Sequence, residues 1–277
     1  MKHGAPELDV AHARDAVVEA GRIAMRFFRQ KHERWEKGPG QIVTEADIAV
    51  DRFLHAELRR DHATDGWLSE ETEDDRVRLE RRRVWVVDPI DGTRSFVEGT
   101  PEFTICVALL IDDAPVLGFV LNPARGEMFE ARRGEGAWLN GTRLAASRVA
   151  NLEGAQIVAS KFESRRRNFA ALAPNARFSS IGSLAYKLAL VAAGRFDGYL
   201  SWRRTHDWDI AAALLLLVES GAVMTDAGGG PIRLNQPTPS HQGLLAAGAA
   251  LHPGLLAATR AGHAAYLDDR RARGLPV

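Results

Sequence analysis

Two aspartates that follow a buried strand form the first candidate metal-binding stretch of this sequence. Asp88 and Asp91 come after the apolar run 84–87, which predicts a short strand that stops at the Asp-Pro pair. Two carboxylates at a buried strand end are costly unless a cation lies between them. Gly92 and Thr93 then offer backbone N–H groups to an anion. The stretch predicts a metal ion beside a phosphate; an Asp-rich helix cap is the alternative.

Two further acidic segments could complete the same site. Glu70 and Glu71 end a short apolar step, and Asp207 and Asp209 lie at a predicted strand-to-helix junction. Taken alone, the first pair is typical of surface charge, and the second of a helix start stabilised by the helix dipole. Together with the strand-end pair, these carboxylates suit Mg²⁺, which binds oxygen ligands and phosphate. Two ions about 3.5–4 Å apart could activate a water and stabilise a leaving oxygen.

Two other residues near helix starts have both a structural and a functional interpretation. Thr44 can cap a helix that begins there, and Asp47 then occupies the capping-box position. Asp47 is therefore either a structural cap or a residue of the site. A lone histidine at a helix start, such as His206, is more often a packing residue, so we leave it out of the catalytic set.

The bulk composition excludes several classes of protein. The chain has 277 residues, 36 basic and 36 acidic, and therefore no net charge that would favour a nucleic-acid polymer or an anionic membrane as partner. Its single cysteine, Cys106, lies in an apolar run and excludes a disulfide framework or a thiolate metal site. The longest apolar run, 210–218, is too short to span a bilayer. We expect no membrane association and a cytoplasmic location.

Hydrophobic periodicity predicts the elements that must position these carboxylates. We expect helices at 9–31 and 44–60, loops at 33–41 and 72–83, and an antiparallel meander over 103–144. The second half predicts strands at 156–160, 177–181, 196–202, 222–225 and 243–247, and helices at 164–172, 184–193, 207–220 and 253–265. The tail from Tyr266 is expected to be loose. The fold class is α/β (α+β), with an N-terminal half at 1–144 and a C-terminal half at 145–277 that supplies Asp209.

The motif Asp88-Pro-Ile-Asp-Gly-Thr93, preceded by Glu70-Glu71 and followed by Trp208-Asp209, resembles the inositol monophosphatase family. These are Mg²⁺-dependent, lithium-sensitive phosphatases. The resemblance covers roughly residues 10–260, and its three acidic segments occur in the family's order. It implies a layered αβαβα sandwich, a homodimer and two or three Mg²⁺ ions per site.

The resemblance also implies roles for individual residues. Metal ligands would be Glu70, Asp88, the Ile90 carbonyl, Asp91 and Asp209. Thr93 and Asp47 would orient and deprotonate the attacking water, with Glu70 assisting. The amides of Gly92 and Thr93 would cradle the phosphate. The implied mechanism is direct in-line attack of metal-activated water on a phosphate monoester, without a phosphoenzyme.

Substrate choice is less well specified than the metal site. The residues predicted to contact the substrate beyond the phosphate are Ser183, Ser201 and Arg203. Arg203 and Arg204 could hold a second phosphate and Trp202 could stack on a base. The substrate is expected to be a small phosphorylated metabolite, as for an inositol monophosphatase. A 3′(2′),5′-bisphosphate nucleotidase, a histidinol phosphatase, a fructose-1,6-bisphosphatase and a catalytically silent phosphosugar-binding protein remain alternatives.

Overall fold

The computed structural model describes residues 9–30, 33–38, 41–160, 163 and 169–274. Among these, the helices are α1 (Val10–Phe27), α2 (Glu45–Leu58), α3 (Thr93–Val97), α4 (Phe169–Leu172), α5 (Leu184–Ala192), α6 (Asp207–Glu219) and α7 (His252–Ala272). The strands are β1 (Arg34–Gly38), β2 (Gln41–Thr44), β3 (Gly66–Ser69), β4 (Arg83–Asp91), β5 (Thr104–Ile111), β6 (Ala114–Asn122), β7 (Glu127–Arg132), β8 (Gly136–Leu139), β9 (Thr142–Arg143), β10 (Gln156–Ala159), β11 (Arg177–Ser180), β12 (Gly198–His206), β13 (Ala222–Asp226) and β14 (Ser240–Gly248). A short 3-10 helix spans Val77–Glu80.

The strands form two large sheets and one hairpin. The seven-stranded sheet has the order β3-β4-β5-β6-β7-β8-β9, and the five-stranded sheet has the order β11-β10-β12-β14-β13. In the first sheet only β3 and β4 are parallel, so both strands end at the same edge. The predicted meander is thus confirmed. The two sheets come from residues 66–143 and 156–248, while the division into halves at residue 145 stays a prediction.

Alternating side chains on the strands place the sheets between layers of helices. On β4, Trp85 and Val87 pack with α1 and α2, whereas Val84 and Val86 face the opposite way. Those opposite side chains share a core with α5, α6 and the inner face of the five-stranded sheet. The outer face of that sheet packs with α4 and α7. The result is the expected αβαβα sandwich.

Two predictions around the first strands were wrong. The segment 33–41, predicted as a loop, contributes β1 and β2 to an antiparallel hairpin; residues 39 and 40 lie outside the described part. Strand β4 does not stop at the Asp-Pro pair but continues to Asp91. Pro89 is tolerated because the ladder to β5 is irregular between Asp88 and Asp91, and because neighbouring β3 already ends opposite Val87.

Two segments predicted to be loose are ordered by packing. Arg78, within the predicted solvated loop 72–83, has a fully buried side chain in the 3-10 helix. Helix α7 continues to Ala272 rather than ending near residue 265, because Tyr266 stacks on Trp202 with ring centroids 5.7 Å apart. Strand β12 also extends beyond Trp202 to His206. Residues 164–168 of the predicted helix 164–172 and Lys31 of the first predicted helix lie outside the described residues.

Cys106 is a buried free thiol in the core, as predicted. In the part of the chain that the structure describes, we find no helix that combines the length and the apolar character needed to cross a membrane.

Candidate active site

Three carboxylates from two elements meet where β4 ends and α6 begins. Asp88 and Asp91 lie at the C-terminal end of strand β4, and Asp209 is the third residue of α6. One carboxylate oxygen of each residue lies within 4.8 Å of those of the other two. The segments are far apart in sequence, and the shared core of the seven-stranded sheet and α6 brings them together.

Asp88 shows most directly that this cluster fits a cation. Its Oδ1 accepts a hydrogen bond from the Ile90 N–H at 3.1 Å, a turn contact that fixes the carboxyl group. Its Oδ2 is buried and finds no hydrogen-bond partner among the described residues. A buried carboxylate oxygen without a donor is costly, and a metal ion is the partner that removes this cost.

The electrostatics of the cluster agree with that conclusion. Burial raises the pKa of Asp88, Asp91 and Asp209, and the neighbouring carboxylates raise the pKa of Asp88 further. Burial also raises the pKa of Glu70 to about 7, against the opposing charge of Lys37. Like charges held this close disfavour ionisation, and a bound cation reverses that preference. The donors are all hard oxygens, the set that Mg²⁺, Ca²⁺ or Mn²⁺ uses.

Glu70 enters the site from the neighbouring strand. It follows β3, which runs parallel to β4, and its backbone N–H lies 3.4 Å from the Val87 carbonyl. Glu70 is outside the tight group of three carboxylates. Lys37 of the β1–β2 hairpin donates to the Glu70 carbonyl at 3.1 Å and forms an ion pair with Glu71. The hairpin thus brings a positive charge to the edge of the acidic cluster.

Asp47 makes both of the contacts that the sequence left as alternatives. Its Oδ2 accepts from the Thr44 N–H at 2.8 Å and the Thr44 hydroxyl at 2.6 Å, so the capping box forms. Its Oδ1 lies 3.4 Å from the Thr93 hydroxyl, which also lies 3.1 Å from the Ile90 carbonyl. Because the two oxygens are used separately, helix capping leaves Oδ1 available to the site.

Gly92 makes the sharp exit from β4 possible. Its φ is +93°, and a Cβ built there would lie 2.8 Å from the Glu102 carbonyl oxygen and 3.1 Å from Ser183. Only glycine fits both this backbone conformation and this approach. Thr93 then begins α3, so the amides predicted to bind phosphate lie beside the carboxylates.

Ser183 orients a metal-site carboxylate, a role that the sequence analysis missed. Its hydroxyl donates to Asp91 Oδ2 at 2.5 Å, and the Ala185 N–H donates to the same oxygen at 2.6 Å. Ser183 also caps α5 by accepting from the Tyr186 N–H. The signal was present in the sequence, since a Gly-Ser step before an apolar helix is a typical N-cap.

Ser201 and Trp202 belong to a buried polar and aromatic cluster. Ser201 Oγ donates to Glu163 at 2.7 Å, and the Trp202 N–H donates to the other Glu163 oxygen at 2.9 Å. Trp202 is 4% exposed and packs edge-on against Phe169 as well as on Tyr266. The idea that Trp202 stacks on a substrate base is therefore wrong, because its side chain is buried and already stacks on Tyr266.

Arg203 and Arg204 are exposed where β12 approaches α6. Burial raises the pKa of Asp209, and the charge of Arg203 offsets part of that rise. The His206 ring stacks on Trp208 at 4.5 Å, while its backbone N–H donates to Asp209 Oδ2 at 2.6 Å. His206 thus packs and positions, in line with its omission from the catalytic set.

Asp207 is fully buried and ties α6 to the following loop. Its Oδ2 accepts from the Asn235 N–H at 2.6 Å, and its Oδ1 lies 2.7 Å from His241 Nε2. The helix-dipole interpretation of this aspartate missed these contacts, because Asn235 and His241 lie far along the chain.

Comparison with known proteins places this site in a family. The family model described as "Inositol monophosphatase family" matches residues 7–264. An inositol-1-monophosphatase of Rhizobium meliloti (strain 1021) is 38% identical over 226 residues, covering 78% of this chain and 84% of that protein. The Nus factor SuhB of Salmonella typhimurium (strain LT2) is 34% identical with the same coverage.

Solved structures of similar proteins superpose on this chain. The Thermotoga maritima IMPase superposes with a TM-score of 0.79 at 29% identity, covering 90% of this chain and 95% of that one. The extragenic suppressor protein suhB of Bartonella henselae gives a TM-score of 0.79 at 28% identity, covering 90% and 96%.

Proposed function

The chain belongs to the inositol monophosphatase family and is a phosphomonoesterase of that type, and from this premise we propose that it uses Mg²⁺ to hydrolyse an inositol monophosphate or a closely similar ester. The observation that carries the metal proposal is the partnerless Oδ2 of Asp88 inside a buried group of three carboxylates. The charges of Lys187 and Arg203 partly offset the raised pKa of Asp91 and Asp209, but no described residue donates a hydrogen bond to Asp88 Oδ2.

We assign the metal ligands by combining that geometry with the family resemblance. Asp88, Asp91 and Asp209 form the tight group, while Glu70 and the Ile90 carbonyl lie at its edge. The resemblance supports two or three ions. When bound, Mg²⁺ supplies charge neutralisation for the phosphate and the leaving oxygen, and it makes a bound water more acidic.

The protein's own groups hold and move the proton of the attacking water. Thr93 has one hydroxyl proton, and donation of that proton to Asp47 Oδ1 leaves lone pairs on Oγ1 that accept a hydrogen bond from water. Burial raises the pKa of Asp47, which makes its carboxylate a better proton acceptor than an exposed aspartate. The Thr93–Asp47 pair therefore serves as the base, and the family resemblance assigns an assisting role to Glu70.

The phosphate end of the substrate is assigned to the amides of Gly92 and Thr93. Gly92, with φ at +93°, lets the chain leave β4 in a tight turn packed against Glu102 and Ser183, and this turn carries the two amides directly after Asp91. Arg203 is exposed and close enough to Asp209 for its charge to act on that carboxylate. This position supports the proposal that Arg203 contacts the part of the ester that lies away from the transferred phosphate. Ser183 and Ser201 were predicted as substrate contacts; their hydroxyls are bonded to Asp91 and Glu163, so we propose that they act by fixing the pocket.

A phosphate-release assay tests the proposal. The panel comprises inositol 1-phosphate, adenosine 3′,5′-bisphosphate, histidinol phosphate and fructose 1,6-bisphosphate, each with Mg²⁺ and with a chelator. We expect Mg²⁺-dependent release that is greatest with inositol 1-phosphate and is abolished in Asp91→Asn, which keeps the fold. Full activity of Asp91→Asn would contradict the site, and a preference for another ester would replace only the substrate.

Three further properties are proposed on the family resemblance alone. These are inhibition by lithium, a homodimeric assembly and a cytoplasmic location. Li⁺ titration of the Mg²⁺-dependent activity and light scattering of the purified chain test the first two, and a monomer in light scattering would remove the dimer.

A further inference from the structure

One arginine in the segment between β3 and β4 is buried with all three of its guanidinium nitrogens hydrogen-bonded. The Arg78 side chain is 0% exposed. Its Nε and Nη2 donate to the two oxygens of Asp74 at 3.0 and 2.8 Å, and Nη2 also donates to the Gln236 carbonyl. Its Nη1 donates to Asn235 Oδ1 at 2.6 Å. A buried guanidinium is costly unless it is fully paired, so these contacts fix the relative position of the segments that supply them.

Asn235 extends this contact towards the acidic site. Its side chain is shared between Arg78 and Asp113, whose Oδ1 accepts from Asn235 Nδ2 at 2.7 Å. Its backbone, with φ at +58°, donates its N–H to Asp207 Oδ2 at 2.6 Å. Asparagine tolerates this left-handed conformation better than most residues, which explains a buried amide at this turn.

The far end of the network is the first turn of a metal-site helix. Asp207 begins α6 with a fully buried side chain, and Asp209 follows two residues later on the same rigid turn. Arg78 and Asp74 lie a few residues after Glu70 in the chain. The network therefore joins the Glu70 side of the acidic cluster to the Asp209 side, across the boundary between the two sheets.

We propose that Asp74, Arg78, Asn235 and Asp207, which we name the clasp, position Asp209 against Asp88 and so set the affinity of the metal site. The clasp acts through Asp209 and touches neither phosphate nor water. The inference rests on the proposed function, because it needs a metal at the three carboxylates. Groups that orient metal ligands typically change metal affinity or activity by about 10–100-fold when removed.

Two variants of the full-length protein loosen the clasp in different ways. Asn235→Gly keeps the positive φ and the N–H donor to Asp207 but removes both side-chain bonds. Arg78→Lys keeps the positive charge but cannot reproduce the hydrogen bonds that the three guanidinium nitrogens donate. The matched control is Arg82→Lys, which alters an exposed arginine of the same segment that pairs with Asp112.

The measurement is the dissociation constant of Mn²⁺, obtained from the electron paramagnetic resonance signal of the free ion. We expect Asn235→Gly and Arg78→Lys each to bind Mn²⁺ about 10-fold more weakly than the wild type. We expect the double variant to bind Mn²⁺ more weakly than either single variant. Its total fold-change should be smaller than the product of the two single fold-changes, because the two residues belong to one network. The control should match the wild type, and kcat at saturating metal should recover in both clasp variants.

Unchanged Mn²⁺ affinity in the folded variants overturns the clasp, even if their melting temperatures fall, because a purely structural role lowers stability alone. If both variants fail to fold, Asp74→Asn is the milder change, because it keeps one side-chain oxygen for Arg78 and loses the second acceptor and the paired charge, and wild-type affinity there overturns the clasp equally. A wild type that binds no Mn²⁺ overturns the proposed metal site as well, which separates the two failures.

Discussion

The three clustered aspartates are satisfied to very different extents by the protein itself. Asp91 Oδ2 receives donors from Ser183 and Ala185, and Asp209 Oδ2 receives the His206 N–H. Asp88 receives one turn contact on Oδ1 and nothing on Oδ2 within the described structure. Asp91 and Asp209 are thus held in place by protein donors, while Asp88 depends most on the ion.

This inequality predicts opposite effects of Asp88→Asn on stability and on activity. The amide removes one buried charge from a group of like charges, so the metal-free protein should melt about 2–4 °C higher, the shift that roughly 1 kcal/mol gives a chain of this size. Mg²⁺-dependent phosphate release should fall at least about 100-fold, beyond the usual range for groups that only orient ligands. Melting curves with a chelator and activity assays check both.

Asp112→Asn is the control for this variant, because it removes an exposed carboxylate that pairs with Arg82. It should leave both quantities near the wild-type values. A lower melting temperature for metal-free Asp88→Asn would show that the carboxylate is satisfied without an ion.

Glu70 predicts a pH dependence for the metal-free protein. Its folded pKa of about 7 exceeds the model-compound value of 4.5, so the folded state holds a proton that the unfolded state has lost. Its contribution to stability is therefore present below pH 4.5 and is lost as the pH rises towards 7 and above. We expect the melting temperature of the wild type, relative to Glu70→Gln, to fall between pH 5 and pH 8 in chelator.

Burial lowers the pKa of His206, His55 and His252, so these histidines make the stability rise with pH. Their contribution is the same in the wild type and in Glu70→Gln, and it cancels when the two melting temperatures are subtracted. Excess Mg²⁺ should remove the difference between low and high pH, because the ion favours the ionised carboxylate. A constant offset between wild type and Glu70→Gln across the range would contradict the raised pKa.

At the scale of elements, the turn from β4 into α3 combines a positive φ with a close backbone approach at Gly92. Gly92→Ala should destabilise the fold through its positive φ and through the 2.8 Å approach to the Glu102 carbonyl oxygen. Gly126→Ala is the matched control, since Gly126 also has a positive φ but a Cβ there meets nothing within 4 Å. The control should lose about 1–2 kcal/mol, the cost of the backbone conformation alone.

Gly92→Ala should lose about 1–3 kcal/mol more than the control, the usual cost of overpacking. Urea unfolding of the two variants at equal slope measures this difference. Equal losses would mean that the Gly92 turn relaxes to admit the Cβ.

The same element shows what the sequence could predict and what it could not. Alternation and helical periodicity are local, so the meander and most helices were predicted from residues close in the chain. The continuation of β4 through Pro89 depended on where β3 ends, and the strands β1 and β2 depended on their pairing with each other. Pairing partners of this kind are not encoded in local periodicity.

In the candidate site, too, local features could be predicted from the sequence and long-range contacts could not. Its carboxylates could be predicted because acidic residues at strand and helix ends are visible in sequence. The second partners could not: Ser183 reaches Asp91, Glu163 reaches Ser201, and Asn235 reaches Asp207 over long separations.

At the scale of the whole molecule, the outer layer depends on the last helix more than its composition suggested. Tyr266→Ala removes the ring that stacks on Trp202 and should lower the free energy of unfolding by about 1–2 kcal/mol. Tyr266→Phe keeps the ring and loses only the hydroxyl contact with Arg270, so it should stay near the wild type. Chemical denaturation compares the pair; similar stabilities would restore the view of a loose tail.

In the described part of the chain, the helices that cover the inner face of the seven-stranded sheet are synthesised after it. Val84, Val86 and Cys106 on that face pack against α5 and α6, which follow the sheet in the chain. At about 5–20 residues per second, the ribosome leaves this apolar face bare for several seconds. We expect nascent chains arrested near residue 150 to bind chaperones, and we expect released full-length chains not to bind them. The synthesis of the buried helical layer would then end the interval in which the growing chain is most prone to aggregation.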